Sequence, residues 1–205
     1  NRDIQLASYT DSKIHFSKIS SAGSVNLIAK AKAKGIKVSS AVPSYQLLLT
    51  DECVKSYDSN YKVAPVLRTN EDIEALKNGL VSDTIEVICS NHIPKEEEAK
   101  KKEYNLSDNG IINYETCFSV AYQALNQTLP IDKLIDKFTV GPRKVLGLPS
   151  LSIKQGQKAE LTIFDLDKVW KFESTESIAK NSPFFGKEFK GCATAIFNKG
   201  KLEYL

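Results

Sequence analysis

The sequence predicts an α/β protein built on a parallel sheet, followed by a separate β element. Three observations carry this. Residues 13–42 read strand, helix, strand, and a β-α-β unit is the mark of parallel pairing. Ile85-Glu86-Val87-Ile88-Cys89 is an apolar, β-branched run that reads as a buried strand. Beyond about residue 150 the pattern changes to short alternating runs with turn signals. The run at 85–89 breaks at once into a polar tip, Ser90-Asn91-His92, closed by Pro94. A buried parallel strand with polar groups at its C-terminal end is where α/β enzymes place their chemistry, so this stretch organises the functional reading.

Taken in order, residues 13–19 alternate as a strand and end in Ser20-Ser21, either of which can N-cap the next element. Val25, Leu27, Ile28, Ala31 and Ala33 then give one apolar helical face, and Gly35 is placed to end it. Residues 36–42 are the next strand. Residues 60–68 read as an extended loop because Pro65 blocks a helix and restricts its neighbour. Thr69-Asn70 caps a helix over 71–80 whose core face is Ile73, Leu76 and Leu80. Residues 95–112 read as a long charged loop with Asn109-Gly110 as its turn. Helices are expected over 114–125 and 131–138, and a short one begins near Pro142 and stops at Gly147. Leu161-Thr162-Ile163-Phe164 is a strand, and residues 193–204 form a β-hairpin about Asn198-Lys199-Gly200.

The 205 residues are 41% hydrophobic and 26% charged, the balance of an ordinary globular protein. No apolar run approaches the roughly 20 residues of a membrane span, and the polar first residues predict no signal peptide. The net charge is +3, and the basic run from Lys95 to Glu103 is interleaved with Glu96, Glu97, Glu98 and Glu103. That run reads as a solvated face, so no nucleic-acid partner is expected. Four widely spaced cysteines without a Cys-x-x-Cys pair predict reduced thiols and a cytoplasmic protein.

Asn91-His92-Ile93-Pro94-Lys95 resembles the last metal-ligand segment of the dihydroorotases of the amidohydrolase superfamily, which reads Asp-His-Ala-Pro-His. Further segments resemble family blocks in the same order: Ser20-Ser21-Ala22-Gly23-Ser24, Leu47-Leu48-Leu49-Thr50-Asp51-Glu52, and Lys62-Val63-Ala64-Pro65-Val66-Leu67-Arg68. Gly110 through Glu115-Thr116 is similar to the family's Gly-x-x-Gly-x-Glu-Thr, and Asn181-Ser182-Pro183-Phe184 to its C-terminal β region. The resemblance runs from about Ile4 to Tyr204. It implies part of a (β/α)8 TIM-like amidohydrolase barrel plus the C-terminal strands of a small β-sandwich. Residues 1–149 would be the second half of the barrel and 150–205 the sandwich portion. Such a barrel takes about 250 residues, and half of one leaves open sheet edges, so the remainder is expected as upstream sequence. The family's His-x-His pair and carboxylated lysine have no counterpart here.

The resemblance also assigns residues. Dihydroorotases interconvert carbamoyl-aspartate and dihydroorotate with a metal-bound hydroxide and an aspartate that shuttles the proton. Two metal-ligand histidines fall on Lys18 and Tyr45, and the catalytic, metal-binding aspartate falls on Asn91. An ammonium repels a divalent cation, tyrosine is a rare zinc ligand, and an amide has no useful basicity. The substrate-binding positions implied are Lys95, Ala64, Asn109 and Gly110, with the family's Pro-Phe replaced by Asp108-Asn109. No cofactor is therefore expected. The implied function is a non-catalytic dihydroorotase homologue of pyrimidine biosynthesis, a homo-oligomer and a structural partner of aspartate carbamoyltransferase. The alternative is an active cyclic amidohydrolase with altered metal chemistry, which would hold zinc. A third reading is a small-anion module on Lys18 and Lys95. Blander roles stand beside these: His15 as a core or supporting residue, His92 as a hydrogen-bonded structural histidine, Cys89 as packing, Glu115 as support for the barrel floor or a loop, and Trp170 and Phe172 as sandwich filling.

Overall fold

The computed structural model describes residues 1–150 and 152–205. Helix α1 (Arg2–Thr10) leads into β1 (Ile14–Phe16). Ser21, in an extended conformation, then caps α2 (Ala22–Ala33), its hydroxyl accepting the Ser24 N–H and so satisfying one of the orphan donors of the first turn. Gly35 follows the helix at φ +74°, a left-handed conformation that suits glycine, and turns the chain into β2 (Val38–Pro43). Thr69 caps α3 (Asn70–Val81) in the same way, accepting from the Asp72 N–H, and β3 (Val87–Cys89) follows.

The three strands form one parallel sheet with β2 in the middle, as the β-α-β pattern requires. Ile14 lies opposite Val38, and Ala41 and Pro43 lie opposite Val87 and Cys89. Each strand is shorter than its sequence pattern, so Lys18 lies beyond β1 and Ile85 precedes β3. Ile14, Phe16, Val42 and Ile88 pack with Ile28, Leu76 and Leu80 of the helices in one buried cluster. His15 points the other way, as the period of two demands, and its Nδ1 lies 2.8 Å from the Ser39 Oγ. Burial lowers the His15 pKa, with Glu86 opposing. The sheet has two open edges: no closed barrel is formed by the described residues.

The charged stretch after β3 corrects two expectations. It contains a short helix, α4 (Glu97–Lys100), and Asn109-Gly110 is not a turn. Instead this backbone runs extended, the Gly110 N–H donating to the Lys62 carbonyl at 3.0 Å and the Ile93 N–H to the Ile111 carbonyl at 2.8 Å. Helix α5 (Cys117–Leu125) begins three residues later than its apolar pattern suggests, because residues 114–116 form a turn. Helix α6 (Ile131–Phe138) is fastened beneath β3 by the buried Lys137, which donates to the Ile85 carbonyl at 2.8 Å and pairs with Asp83 at 2.7 Å. Helix α7 (Val140–Val145) follows directly and sets Gly141 hard against the Glu86 carbonyl.

The C-terminal residues build one antiparallel sheet of β4 (Leu161–Lys171), β5 (Glu188–Asn198) and β6 (Lys201–Tyr204), with β5 in the middle. The β5–β6 turn places Lys199 and Gly200 at φ 49° and 78°, the two positive values a tight hairpin needs. Strand β4 runs well past the expected 161–164. Its pairing is broken between Asp165 and Val169, where the Asp165 carboxylate accepts the Asp167 and Lys168 N–H groups, and this hides the strand's alternation. Trp170 packs at the margin of a buried cluster that includes Phe172. Phe172 packs with Tyr45, Ile111, Ile112, Phe184 and Phe189 against the α/β part. The Trp170 indole donates to the Ser119 hydroxyl of α5 at 3.2 Å, and that hydroxyl donates to the Gly191 carbonyl of β5 at 2.5 Å. Among the described residues no helix is long and apolar enough to cross a membrane.

Candidate functional site

The polar groups gather where the parallel strands end. After β2 a single 3-10 turn, Ser44–Leu47, carries Tyr45 into the interior, where it is fully buried. After β3, Asn91 takes φ 45°, a left-handed conformation that asparagine tolerates better than most residues. That turn aims its amide at Tyr45. Asn91 Nδ2 donates to the Tyr45 hydroxyl at 2.5 Å and to the Ala64 carbonyl at 3.1 Å. Burial pushes the Tyr45 phenol well above its ordinary range, so the pair is neutral. Three residues singled out in the sequence, Tyr45, Asn91 and Ala64, thus meet, and Ala64 contributes its backbone.

Lys18 lies on the exposed stretch after β1. Its charge reaches Cys89, whose thiol burial pushes up to about 11 while Lys18 opposes the rise; the thiol faces the Ser17 carbonyl at 3.7 Å. Cys89 is packing and a weak donor rather than a nucleophile. Lys95 belongs to a second group. Its ammonium pairs with the Asp108 carboxylate at 2.8 Å and holds that carboxyl below the usual range. Its N–H donates to the Asn181 side-chain carbonyl at 3.0 Å. Gly110 packs against it: a Cβ there would lie 2.7 Å from the Ile93 carbonyl and 2.8 Å from the Lys95 stem. Asn109 is exposed. Lys18 is exposed after β1, whereas the Lys95 ammonium is taken by Asp108.

Two organising residues escape the sequence reading. Asn113 is buried and braces three segments. Its amide donates to the Ser44 hydroxyl at 2.8 Å and the Ser90 carbonyl at 2.9 Å, and its side-chain oxygen accepts from Thr116 at 2.8 Å. Its N–H donates to His92 Nδ1 at 3.0 Å, and the His92 ring stacks on Tyr114 at 4.0 Å. Nδ1 accepts here, so the proton of neutral His92 sits on Nε2, and burial lowers its pKa. The available signal was the asparagine standing at the second glycine of the Gly-x-x-Gly-x-Glu-Thr run. Lys100, inside the charged run read as solvated, is buried. Its ammonium donates to the carbonyls of Asp108 at 3.0 Å, Gly110 at 3.1 Å and Lys62 at 3.4 Å, and burial lowers its pKa to about 8. Glu115 supports a loop: it accepts from the Thr175 hydroxyl at 2.6 Å and the Glu176 N–H at 3.1 Å.

This donor set does not fit zinc. Among the described residues no three His, Cys, Asp or Glu side chains come close enough to share a metal ion. Where ligands are implied there stand an ammonium, a neutral buried phenol and an amide already spent on two hydrogen bonds.

Residues 4–202 match the family described as Amidohydrolase family. A dihydroorotase of Geobacter metallireducens is 37% identical over 208 residues, covering 99% of this chain and 49% of its own length. A dihydroorotase of Thermoanaerobacter sp. is 40% identical over 211 residues, covering 99% of this chain and 48% of its own length. The chain thus spans about half the length of the curated relatives it matches. Among solved structures, the L-hydantoinase (dihydropyrimidinase) of Arthrobacter aurescens matches with a TM-score of 0.90 at 25% identity, over 100% of this chain and 48% of that one. The inactive dihydroorotase-like domain of the Chaetomium thermophilum CAD-like multifunctional protein matches with a TM-score of 0.74 at 23% identity, over 98% of this chain and 53% of that one.

Proposed function

Because the chain belongs to the amidohydrolase family, we propose that it is the second half of a dihydroorotase-like (β/α)8 barrel with a C-terminal β portion, non-catalytic, and a structural partner of aspartate carbamoyltransferase in pyrimidine biosynthesis. Residues 1–149 and 150–205 are the two portions in this reading. The observation that carries it is the hydrogen bond from Asn91 to Tyr45.

Ring closure and opening between carbamoyl-aspartate and dihydroorotate need an electrophile on the amide carbonyl, an activated water and a carboxylate that moves a proton. The positions that the resemblance assigns to this chemistry hold Lys18, Tyr45 and Asn91 instead. Asn91 cannot take a proton at physiological pH, and both its N–H groups are engaged. Tyr45 is held neutral by burial and accepts Asn91's hydrogen bond at the hydroxyl a metal would need. Lys18 adds positive charge to the same mouth. Each change alone weakens catalysis by orders of magnitude, and together they leave fold without reaction. The Chaetomium domain, described as inactive, has the same fold, so this scaffold is compatible with loss of activity.

The test is elemental analysis of the full-length protein purified without chelator, paired with a dihydroorotate hydrolysis assay and co-purification with aspartate carbamoyltransferase. The reading expects zinc near zero, no turnover and co-migration. One or two metal ions per chain with hydrolysis of dihydroorotate overturns it in favour of an altered but active metal site.

A further inference from the structure

We propose that the cavity at the N-terminal ends of the parallel strands binds a small polyanion, a ligand with several phosphate or carboxylate charges, on Lys13, Lys37 and Lys144. The cavity lies at the opposite ends of the strands from Tyr45 and Asn91, so the inference does not rest on the reading above.

Lys13 immediately precedes β1, Lys37 precedes β2 and Glu86 precedes β3, so the parallel order brings all three to one end of the sheet. Helices α6 and α7 add further walls to a cavity of about 840 Å³, within the size range of small-molecule sites. Six lysines line it against three carboxylates, and each carboxylate has its own cation. Asp83 pairs with Lys137 at 2.7 Å, Glu86 with Lys32, and Asp136 with Lys133 at 3.9 Å. Glu86 also accepts the Ser40 N–H at 2.9 Å. The surplus charge is that of Lys13, Lys37 and Lys144. Lys37 reaches out of the cavity lining to Asp11 at 2.7 Å, but that carboxylate is 84% exposed and water screens the pair. Lys144 stands in the last turn of α7 and offsets part of the carbonyl end of that helix. His15 and Ser39, 2.8 Å apart, line the same cavity as uncharged hydrogen-bonding groups. Val140 and Val145 supply apolar wall, and charge of one sign in a cleft with such walls focuses the field. One exposed ammonium gives a singly charged anion little; a ligand with several charges engages the surplus lysines together.

Inorganic triphosphate and citrate, each titrated into the full-length protein by calorimetry at low and at raised salt, test this. Saturable binding of at least one probe is expected, and it weakens as salt rises. Triphosphate alone marks the ligand as a phosphate, citrate alone as a polycarboxylate. Lys13 and Lys144 are exposed, so Lys13→Gln with Lys144→Gln leaves the fold intact and is expected to weaken binding about tenfold. Lys168→Gln with Lys201→Gln removes the same charge from exposed positions on the C-terminal sheet and is expected to leave affinity unchanged. No saturable binding of either probe, binding indifferent to salt, full affinity in the cavity variant, or an equal loss in the C-terminal variant each overturns the inference.

Discussion

Asn91 donates to the Tyr45 hydroxyl at 2.5 Å, tying the turn after β2 to the turn after β3 beyond the last backbone pair of those strands, Pro43 with Cys89. A side-chain pair thus links the two strand ends where their backbone pairing stops. Tyr45→Phe removes this link while keeping the buried ring. It is expected to lower stability by about 1 kcal/mol, the usual net worth of one such bond, and to leave metal content unchanged. Denaturant midpoints of the full-length protein measure the first, and elemental analysis the second.

Lys100 makes a prediction about alkaline pH. Its folded pKa of about 8 lies below its ordinary 10.5, so between these values the unfolded chain binds the extra proton. Stability contributed by this group therefore rises as pH rises from 8 to 10.5, by at most ~1.4 kcal/mol per pH unit. Lys100→Met is expected to abolish that share of the slope, read as the difference between wild-type and variant denaturation midpoints across the window. Parallel slopes would contradict a buried, desolvated ammonium.

These two residues show what sequence could and could not convey. Helix α2, α3 and α6 were legible because their signals are local: Ser21 and Thr69 as caps, Gly35 as a stop, and apolar residues at helical spacing. The buried Lys100 was not, since its partners are backbone carbonyls 8 to 38 residues away and a charge run carries no trace of them. Strand β4 was half legible, its alternation interrupted at the Asp165 bulge. At the site, the substitutions at Lys18, Tyr45 and Asn91 could be read, but the pairing of Tyr45 with Asn91 depends on a left-handed backbone that no pattern announces.

Asn113 braces the Ser44 hydroxyl, the Ser90 carbonyl and Thr116 from a buried position. Asn113→Gly, which restores the glycine of the similar family run, leaves these groups without partners and is expected to cost about 1–3 kcal/mol. Thermal and denaturant unfolding of the full-length variant measure it, and a neutral effect would show that water replaces the amide.

His92 should titrate on the acid side of its ordinary 6.5, since burial disfavours its charged form with Glu115 opposing. Protonation must also fill Nδ1, which accepts the Asn113 N–H at 3.0 Å. The unfolded chain takes the proton first, so this contribution is complete above pH 6.5 and is lost as pH falls toward the folded value. Imidazole proton shifts followed by NMR locate the midpoint; a value above 6.5 would contradict the burial argument.

Gly141 admits no side chain, because a Cβ there would sit 2.1 Å from the Glu86 carbonyl oxygen. Gly141→Ala is expected to push α7 off the start of β3 and cost a few kcal/mol, about 1–3 by the usual scale of overpacking. Unfolding midpoints report the loss.

The chain of hydrogen bonds from the Trp170 indole to Ser119 and on to Gly191 has a practical consequence. Trp170 is the one tryptophan in these 205 residues, and its N–H is held where the C-terminal sheet lies on α5. Its emission is an intrinsic optical gauge of that seam: a red shift marks the sheet lifting from the helix even while both remain folded. Undocking and global unfolding can therefore be followed separately, without any label, by recording fluorescence and circular dichroism on the same sample.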